Sequence, residues 1–303
     1  MARRILLGLL LLCASSWALA QTSPAVRFTY PPPETANDQR HLYYWQVLEA
    51  ALASNRDKYG DFAVEPYATP MTFQRAAAEV ETGKGRVNIV ARATNLDLET
   101  RLRPIRLPLD KGLLGARLFL VTQDTAAKLE KVRTLEELQQ YTIGQNSAWT
   151  DVKILQNAGF KVVIADDYEG LFQMLSAKRF DLFSRGAIEI DAEWKAHRDT
   201  LPNLVIDRSF MLYYPLPRYF FVPRTAEGEK MAERIEDGLR RLQKSGEFER
   251  RYQDYKRLVL KDVSLAGRRV FRLTNTQLSP ETPLSDKYWW DDLSAELNAR
   301  SKP

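Results

Sequence analysis

Residues 134–184 read TLEELQQYTIGQNSAWTDVKILQNAGFKVVIADDYEGLFQMLSAKRFDLFS, and short apolar runs alternate in them with segments of helical periodicity. Thr134 and Glu137 have the spacing of a capping box, which starts a helix by satisfying two backbone N–H groups. The apolar runs predict strands at 141–143, 161–165 and 180–184. This alternation of helices and strands predicts an α/β fold with largely parallel sheets.

The same alternation continues on both sides of this stretch. Towards the N-terminus it predicts strands at 26–30, 61–67, 86–91 and 117–122, and helices at 41–54 and 72–81. Towards the C-terminus it predicts helices at 188–197 and 225–245, and strands at 203–208 and 213–222, the last interrupted by Pro215 and Pro217. The periodicity fades after residue 261, so 262–303 is predicted to be a C-terminal extension with a short strand at 269–273.

The first twenty residues have the pattern of a cleavable secretion signal. Arg3 and Arg4 form a positive start, residues 5–12 are apolar, and 18–20 read Ala-Leu-Ala, a typical cleavage pattern. A membrane anchor is the alternative, but a span needs about 20 apolar residues, more than this run contains. We therefore expect 1–20 to be a signal peptide and the protein to act in the periplasm.

The composition excludes several classes of function. The 303 residues include 44 Lys+Arg and 39 Asp+Glu, and this small surplus of intermingled basic residues argues against a nucleic-acid partner. Two His and one Cys leave little material for a zinc site or a Cys–His nucleophile, and Cys13 lies in the predicted signal. We therefore expect no metal and no cofactor. A chain of this length can bury a core without disulfides, which is compatible with the periplasm.

Six short segments carry a resemblance to a known family. They are Phe28-Thr29-Tyr30, Arg86-Val87-Asn88-Ile89-Val90, Glu99-Thr100-Arg101, Ile143-Gly144, Arg179-Phe180-Asp181 and Lys244-Ser245-Gly246. In this order, over roughly residues 26–261, the chain resembles the bacterial extracellular solute-binding proteins of family 3, the polar amino-acid type, as a divergent branch.

The resemblance implies a two-lobe periplasmic-binding-protein-like fold of type II, with two crossover strands as the hinge. The first lobe would comprise 21–118 plus 217–261, and the second lobe 119–216, followed by the extension at 262–303. Ligand would bind between the lobes and favour the closed form.

The resemblance also implies binding residues in the first lobe. Arg101 matches an arginine that binds the ligand carboxylate, a role suited to a bidentate guanidinium, and an exposed helical arginine is the alternative. Thr94 matches a ligand-contacting hydroxyl, whereas Leu96 replaces a second one. Tyr30 and Glu34 follow the first strand and are predicted to line the cleft, with a core position as the alternative for Tyr30.

In the second lobe the predicted site includes the loop at 144–151, which lies between a strand end and a helix start. Thr150 matches one of the family's two threonines, Trp149 replaces the other, and Ser147 lies in the same loop. Backbone N–H groups in such a loop favour anionic groups. An ordinary helix N-cap is the alternative.

Arg185 and Glu189 follow the predicted strand at 180–184, at the edge where open α/β sheets bind ligands. The amino-acid binders of the family carry an aspartate near this point for the ligand ammonium, whereas this chain has Gly186 beside Arg185. The departure favours a ligand that is more anionic than an ordinary α-amino acid. A surface salt bridge is the alternative role for Arg185.

These observations together predict a binding protein rather than an enzyme. It would capture a small polar, carboxylate-bearing solute (an amino acid or an organic acid) as a monomer, and deliver it to an inner-membrane ABC permease. Partnership with a membrane sensor is the alternative. A dehydratase of the cyclohexadienyl type, with Glu34 or Glu189 as proton donor, is less favoured because no paired-carboxylate or nucleophile motif is present.

In a third hypothesis Trp289 and Trp290 form a docking strip, although tail aromatics usually pack against their own domain.

Overall fold

The computed structural model describes residues 26–32 and 42–299, so the predicted signal peptide and Glu34 lie outside the described residues. The strands are β1 (Val26–Tyr30), β2 (Phe62–Pro66), β3 (Val90–Ala93), β4 (Arg103–Ile105), β5 (Ala116–Thr122), β6 (Thr142–Asn146), β7 (Lys161–Ala165), β8 (Leu182–Gly186), β9 (Leu204–Ile206), β10 (Phe210–Tyr213), β11 (Arg218–Val222) and β12 (Arg269–Arg272). The helices are α1 (Leu42–Ser54), α2 (Arg56–Tyr59), α3 (Phe73–Glu81), α4 (Leu96–Arg101), α5 (Gln123–Leu129), α6 (Leu135–Leu138), α7 (Asp151–Asn157), α8 (Tyr168–Ser176), α9 (Ile190–His197), α10 (Ala226–Ser245), α11 (Glu247–Val259) and α12 (Ser294–Leu297). Within the described ranges no helix is both long and apolar enough to cross a bilayer.

The strands form separate sheets in two lobes. In the first lobe β1 and β2 pair in parallel, and β11 lies between β3 and β4. Asn88 joins these two sheets, because its N–H donates to Thr29 O at 2.9 Å and its Oδ1 accepts from Thr29 N at 2.8 Å. The second lobe holds a seven-stranded sheet in the order β12-β10-β5-β8-β6-β7, with β9 paired to β5. Strands β8, β6 and β7 are parallel, whereas β5 is antiparallel to its neighbours.

Before the extension the chain crosses between the lobes twice, from β4 to β5 and from β10 to β11, and the extension later brings β12 back to the second lobe's sheet. The predicted strand at 213–222 is thus two strands in different sheets, separated by a segment that contains Pro215 and Pro217. Proline lacks an N–H donor and cannot continue a ladder, which explains the break. The predicted α/β two-lobe fold is confirmed, whereas the exact lobe boundaries stay a prediction.

Two predicted strands are displaced in the structure. The strand predicted at 86–91 begins only at Val90, because the residues before it include Asn88, which bonds to β1. The strand predicted at 180–184 begins at Leu182 and extends to Gly186. Asp181 precedes it and accepts from Thr142 N at 2.8 Å, which fixes the start of β8. As a result Arg185 lies within the strand rather than after it.

Helix α10 packs across α1 to form the back of the first lobe. This is the helix predicted at 225–245, and its apolar stripe of Met231, Ile235, Leu239 and Leu242 is buried. Thr225 caps its first turn by accepting from Gly228 N at 3.1 Å, and Gly246 ends it with a left-handed φ of 76°. The sequence signals at both ends therefore match the observed helix.

Substitution of Gly238 by alanine is expected to lower the free energy of unfolding by about 2 kcal/mol. A Cβ at this position in α10 would lie 2.2 Å from Ala51 O on α1, and backbone cannot move aside as a side chain does. This overlap outweighs the gain of about 1 kcal/mol in helix propensity. Urea unfolding measures the effect. Gly170→Ala is the matched control, because the nearest atoms to its Cβ belong to the Asp167 side chain rather than to backbone, and equal losses in the two variants would contradict the packing argument.

The C-terminal extension packs onto both lobes. Strand β12 pairs in parallel with β10 and so adds an edge strand to the second lobe. Trp289 is fully buried and its ring lies 4.9 Å from that of Phe248 on α11, in an edge-to-face contact. Asp291 then accepts from Lys256 Nζ at 2.8 Å. The tail therefore packs against its own domain, which leaves Trp289 inaccessible to a docking partner.

Candidate functional site

A cleft of about 540 Å³ lies between the two lobes. Its charged lining residues come from both of them: Arg92, Arg117, Asp151, Asp166, Arg185, Glu189 and Arg218. Its aromatic lining residues are Phe73, Trp149 and Tyr168. The volume falls in the range of about 300–1,000 Å³ that is typical of small-molecule sites.

Four arginines reach the cleft because each lies at or near the end of a strand. Arg218 opens β11 and pairs with Ala93, so it lies at the end of β3 beside Arg92. Arg117 on β5 pairs with Gly186, so it is adjacent to Arg185 on β8. The ends of two sheets thus bring four guanidinium groups to one cavity, two from each sheet.

Arg117 is held in a buried triad near the crossover segments. Its Nη2 lies 2.7 Å from Asp151 Oδ1, and the Tyr214 hydroxyl donates to the same oxygen at 2.5 Å. Burial lowers the pKa of Arg117, but its electrostatic interactions with Asp151, Tyr214 and Glu189 together outweigh that effect and the pKa is raised overall. Burial and the same carboxylate raise the pKa of Tyr214 well above 10. The guanidinium is therefore permanently charged and the phenol neutral.

Arg218 lies deeper, beside the first lobe's core. Its Nη1 donates to Ala91 O at 3.3 Å, and its guanidinium carbon lies 4.7 Å from the centre of the Tyr44 ring. The Tyr44 hydroxyl donates to Asp110 Oδ2 at 3.3 Å. Burial raises the pKa of Asp110 to about 6, against the opposing effect of the Arg218 charge.

Arg185 forms the centre of the second lobe's wall. Its Nε and Nη2 donate to the two oxygens of Glu193 at 2.6 and 2.5 Å, and Nη2 lies 3.1 Å from Glu189 Oε2. The guanidinium stacks on Trp149, with 4.3 Å between its carbon and the ring centre. Burial lowers the pKa of Arg185, but the charges of Glu193 and Glu189 outweigh it and raise the pKa further above its ordinary value. The salt bridge that was the alternative role for Arg185 is thus present, but it is buried rather than at the surface.

The loop after β6 closes this side of the cleft. Ser147 Oγ donates to Asp166 Oδ1 at 2.5 Å, and Ala148 N donates to Asn146 Oδ1 at 3.0 Å. Asn95 Nδ2, in the first lobe, donates to Thr150 Oγ1 in the second lobe at 3.0 Å. This bond joins the lobes directly.

The structure brings five of the predicted site residues together at the cleft. They are Ser147, Trp149, Thr150, Arg185 and Glu189. Glu34 lies outside the described residues.

Three other predicted residues have different surroundings. Tyr30 stacks on Trp45 with 4.1 Å between ring centres, the core alternative. Thr94 is buried and donates to Glu99 Oε1 at 2.5 Å. Arg101, at the end of α4, donates to Glu81 Oε2 from Nε and Nη2 at 2.9 and 2.6 Å, so its fork is occupied by a carboxylate of this chain. Because none of these three side chains is among the residues that line the cleft, we do not assign ligand contacts to them.

Sequence reasoning missed three of the four arginines at the cleft: Arg92, Arg117 and Arg218. Each lies within or at the end of an apolar strand, and Arg117 and Arg218 are buried. A charged residue inside such a run must be paired or must face a site, because an isolated buried charge is strongly unfavourable. The occurrence of an arginine within an apolar run was therefore a signal in the sequence that could have identified these three residues.

Several solved structures share this fold. An ancestral arginine-binding protein bound to arginine is 17% identical, with a TM-score of 0.53, and the match covers 77% of this chain and 99% of that one. A periplasmic binding protein of Salmonella typhimurium with high arginine specificity is 15% identical, with a TM-score of 0.53 and coverage of 77% and 99%. An ancestral amino-acid-binding protein, a precursor of cyclohexadienyl dehydratase, is 15% identical, with a TM-score of 0.51 and coverage of 76% and 94%.

No family model and no curated protein matches the chain. At these identities the likeness to solved structures shows the fold, that of two-lobe periplasmic binding proteins. The matches cover about three quarters of this chain and nearly all of each neighbour.

Proposed function

We propose that the protein is a periplasmic solute-binding protein that captures a small carboxylate-bearing solute between its two lobes. The observation that carries this proposal is the convergence of four arginines from both lobes on one cleft of about 540 Å³. Guanidinium groups bind carboxylates through paired, charge-assisted hydrogen bonds. Binding proteins of this fold place their ligand where lobe closure surrounds it.

An unpaired hydrogen-bond donor and the positive charge of the cleft lining support an anionic ligand. Within the described residues, the buried Nε of Arg117 has no hydrogen-bond partner. A buried donor without a partner costs about 1–3 kcal/mol, which a ligand oxygen would recover. Two of the neighbours named above bind arginine, but the arginine-rich lining disfavours the same ligand here, because like charges repel.

The proposed partner is a membrane protein that a periplasmic binding protein can reach. The periplasm is the compartment we propose, as for the Salmonella typhimurium binding protein that shares this fold, and delivery to an inner-membrane ABC permease is the role we favour. Presentation of the solute to a membrane sensor would use the same cleft and the same closure. A monomer suffices for either role.

Among the described residues, the surroundings of Glu189 do not favour the dehydratase alternative. Glu189, its described candidate for proton donor, accepts from Gly186 N at 3.2 Å and lies 3.1 Å from Arg185 Nη2. Such donors stabilise the charged carboxylate, whereas a general acid must hold its proton.

A thermal-shift screen of the purified protein tests the proposal. We expect acidic amino acids and short organic acids to raise the melting temperature and cationic amino acids to leave it unchanged. A ligand at 100 times its Kd stabilises by about 2.7 kcal/mol, which is readily measured. Arg92→Ala, at the cleft, is expected to weaken binding by about tenfold or more, because it removes a charge-assisted bond of about 1.5–3 kcal/mol.

Arg103→Ala is the matched control. Arg103 pairs with Glu229 at 2.8 Å away from the cleft, so its removal should leave ligand affinity unchanged. A folded protein that no small carboxylate stabilises, or equal loss of affinity in the two variants, would contradict the proposal.

A further inference from the structure

Arg185 is enclosed by the groups that recognise a guanidinium ion. The ring centres of Trp149, Phe183 and Tyr168 lie 4.3, 5.2 and 5.8 Å from its guanidinium carbon. Glu193 accepts from its Nε and Nη2 with the two oxygens of one carboxylate. Aromatic faces and a bidentate carboxylate together form a cage for a planar cation.

The cage belongs to the wall of the cleft. Trp149, Tyr168 and Arg185 all line the cavity, whereas Glu193 is buried behind them. Tyr168 also steadies the carboxylate, because its hydroxyl donates to Glu193 Oε1 at 2.7 Å. A ligand cation that entered this side of the cleft would meet these same groups, but the chain's own guanidinium already occupies them.

The acidic groups that line the described cleft are likewise engaged by the chain. Asp151 pairs with Arg117 at 2.7 Å, and Asp166 accepts from Ser147 at 2.5 Å. Glu189 lies 3.1 Å from Arg185. A cationic ligand would have to displace one of these contacts and to approach four arginines.

We propose that Arg185 is a built-in occupant of a guanidinium subsite, and that by filling it the residue excludes solutes with cationic side chains from the cleft. This inference rests on the proposed function, since it assigns the specificity of the same site. Arg185 is thus a specificity-determining residue rather than a ligand-binding one. Its removal should expose a cage that accepts a free guanidinium ion.

The test is chemical rescue of Arg185→Ala with guanidinium chloride. The variant leaves Glu193 buried without its partner, so we expect a lower melting temperature than in the wild type. About 5 mM guanidinium chloride should then raise the melting temperature of this variant by several degrees relative to the same concentration of sodium chloride. Methylguanidine should act in the same way. Wild type and Arg103→Ala, whose arginine pairs with Glu229, should show no such difference between the two salts.

A second variant tests whether the response to guanidinium depends on the Glu193 carboxylate. In Arg185→Ala/Glu193→Gln the buried charge is absent, so the protein should fold without guanidinium and lose the specific response to it. If Arg185→Ala does not fold alone, its refolding yield in guanidinium chloride and in sodium chloride is compared, and a higher yield in guanidinium supports the cage. Equal melting temperatures or equal yields in the two salts would overturn it.

The outcome is separable from that of the proposed function. Guanidinium rescue uses no natural ligand, so its failure refutes the cage even where the wild type binds a carboxylate. A wild type that binds no carboxylate refutes the proposed function whether or not the rescue succeeds.

Discussion

Replacement of Trp289 by alanine is expected to lower the free energy of unfolding by about 3–5 kcal/mol. The side chain is fully buried, and its ring makes edge-to-face contacts with Phe248 at 4.9 Å and Tyr288 at 5.0 Å. Its loss removes apolar burial and leaves a cavity between the extension and α11. Urea unfolding followed by circular dichroism measures the change.

Leu284→Ala in the same extension is the matched control. Leu284 is 53% exposed, so truncation should change the free energy of unfolding by no more than about 0.5 kcal/mol. Equal effects of the two variants would mean that the extension contributes no packed core to the domain. The expected contrast would make 262–299 an integral part of the fold.

Asp151→Ala is expected to lower the free energy of unfolding by about 3–5 kcal/mol, because it leaves Arg117 as a buried charge without its carboxylate. Tyr214 loses its acceptor in the same step. The loss should be largely recovered in Asp151→Ala/Arg117→Met, since two uncharged side chains avoid the desolvation penalty. Urea unfolding of the single and double variants gives the coupling energy directly.

A surface ion pair supplies the control for this triad. Asp124 pairs with Lys178, and both side chains are more than half exposed. Asp124→Ala should therefore cost less than about 1 kcal/mol, because water solvates the remaining lysine. Additive effects of Asp151→Ala and Arg117→Met would show that the two groups do not depend on each other.

The fold was largely predictable because the sequence patterns that specify its helices and strands involve residues that are close together along the chain. The capping box at Thr134 and the apolar stripe of α10 each depend on residues within a few turns, and both are observed. The displaced start of β3 shows the limit, because Asn88 is held by a hydrogen bond to Thr29 on another strand. Periodicity along the chain contains no information about such a partner.

The candidate site was predictable only in part, for the same reason. Ser147, Trp149 and Thr150 lie at a strand end, a position that topology alone brings to the cleft. Arg101 has a matching motif but bonds to Glu81 on α3, a residue twenty positions away that only the tertiary structure brings near it. Its assignment therefore required tertiary structure.

The arginines of the cleft depend on register between distant strands. Arg117 and Arg218 lie at or next to the first residue of β5 and β11, and the pairing of these strands with β8 and β3 brings those strand ends to the cavity. A one-residue slip would turn each side chain to the opposite face of its sheet. The sequence could indicate that these arginines have a special role, but it could not show that their side chains line the same cavity.

The most direct test of the central claim is a crystal structure of the protein with a carboxylate solute selected by the thermal-shift screen. We predict that the solute lies between the lobes, with a carboxylate oxygen about 2.7–2.9 Å from a guanidinium nitrogen of Arg92, Arg117 or Arg218. Density for the solute outside the cleft, or inside it with the carboxylate turned away from all three arginines, would contradict the account.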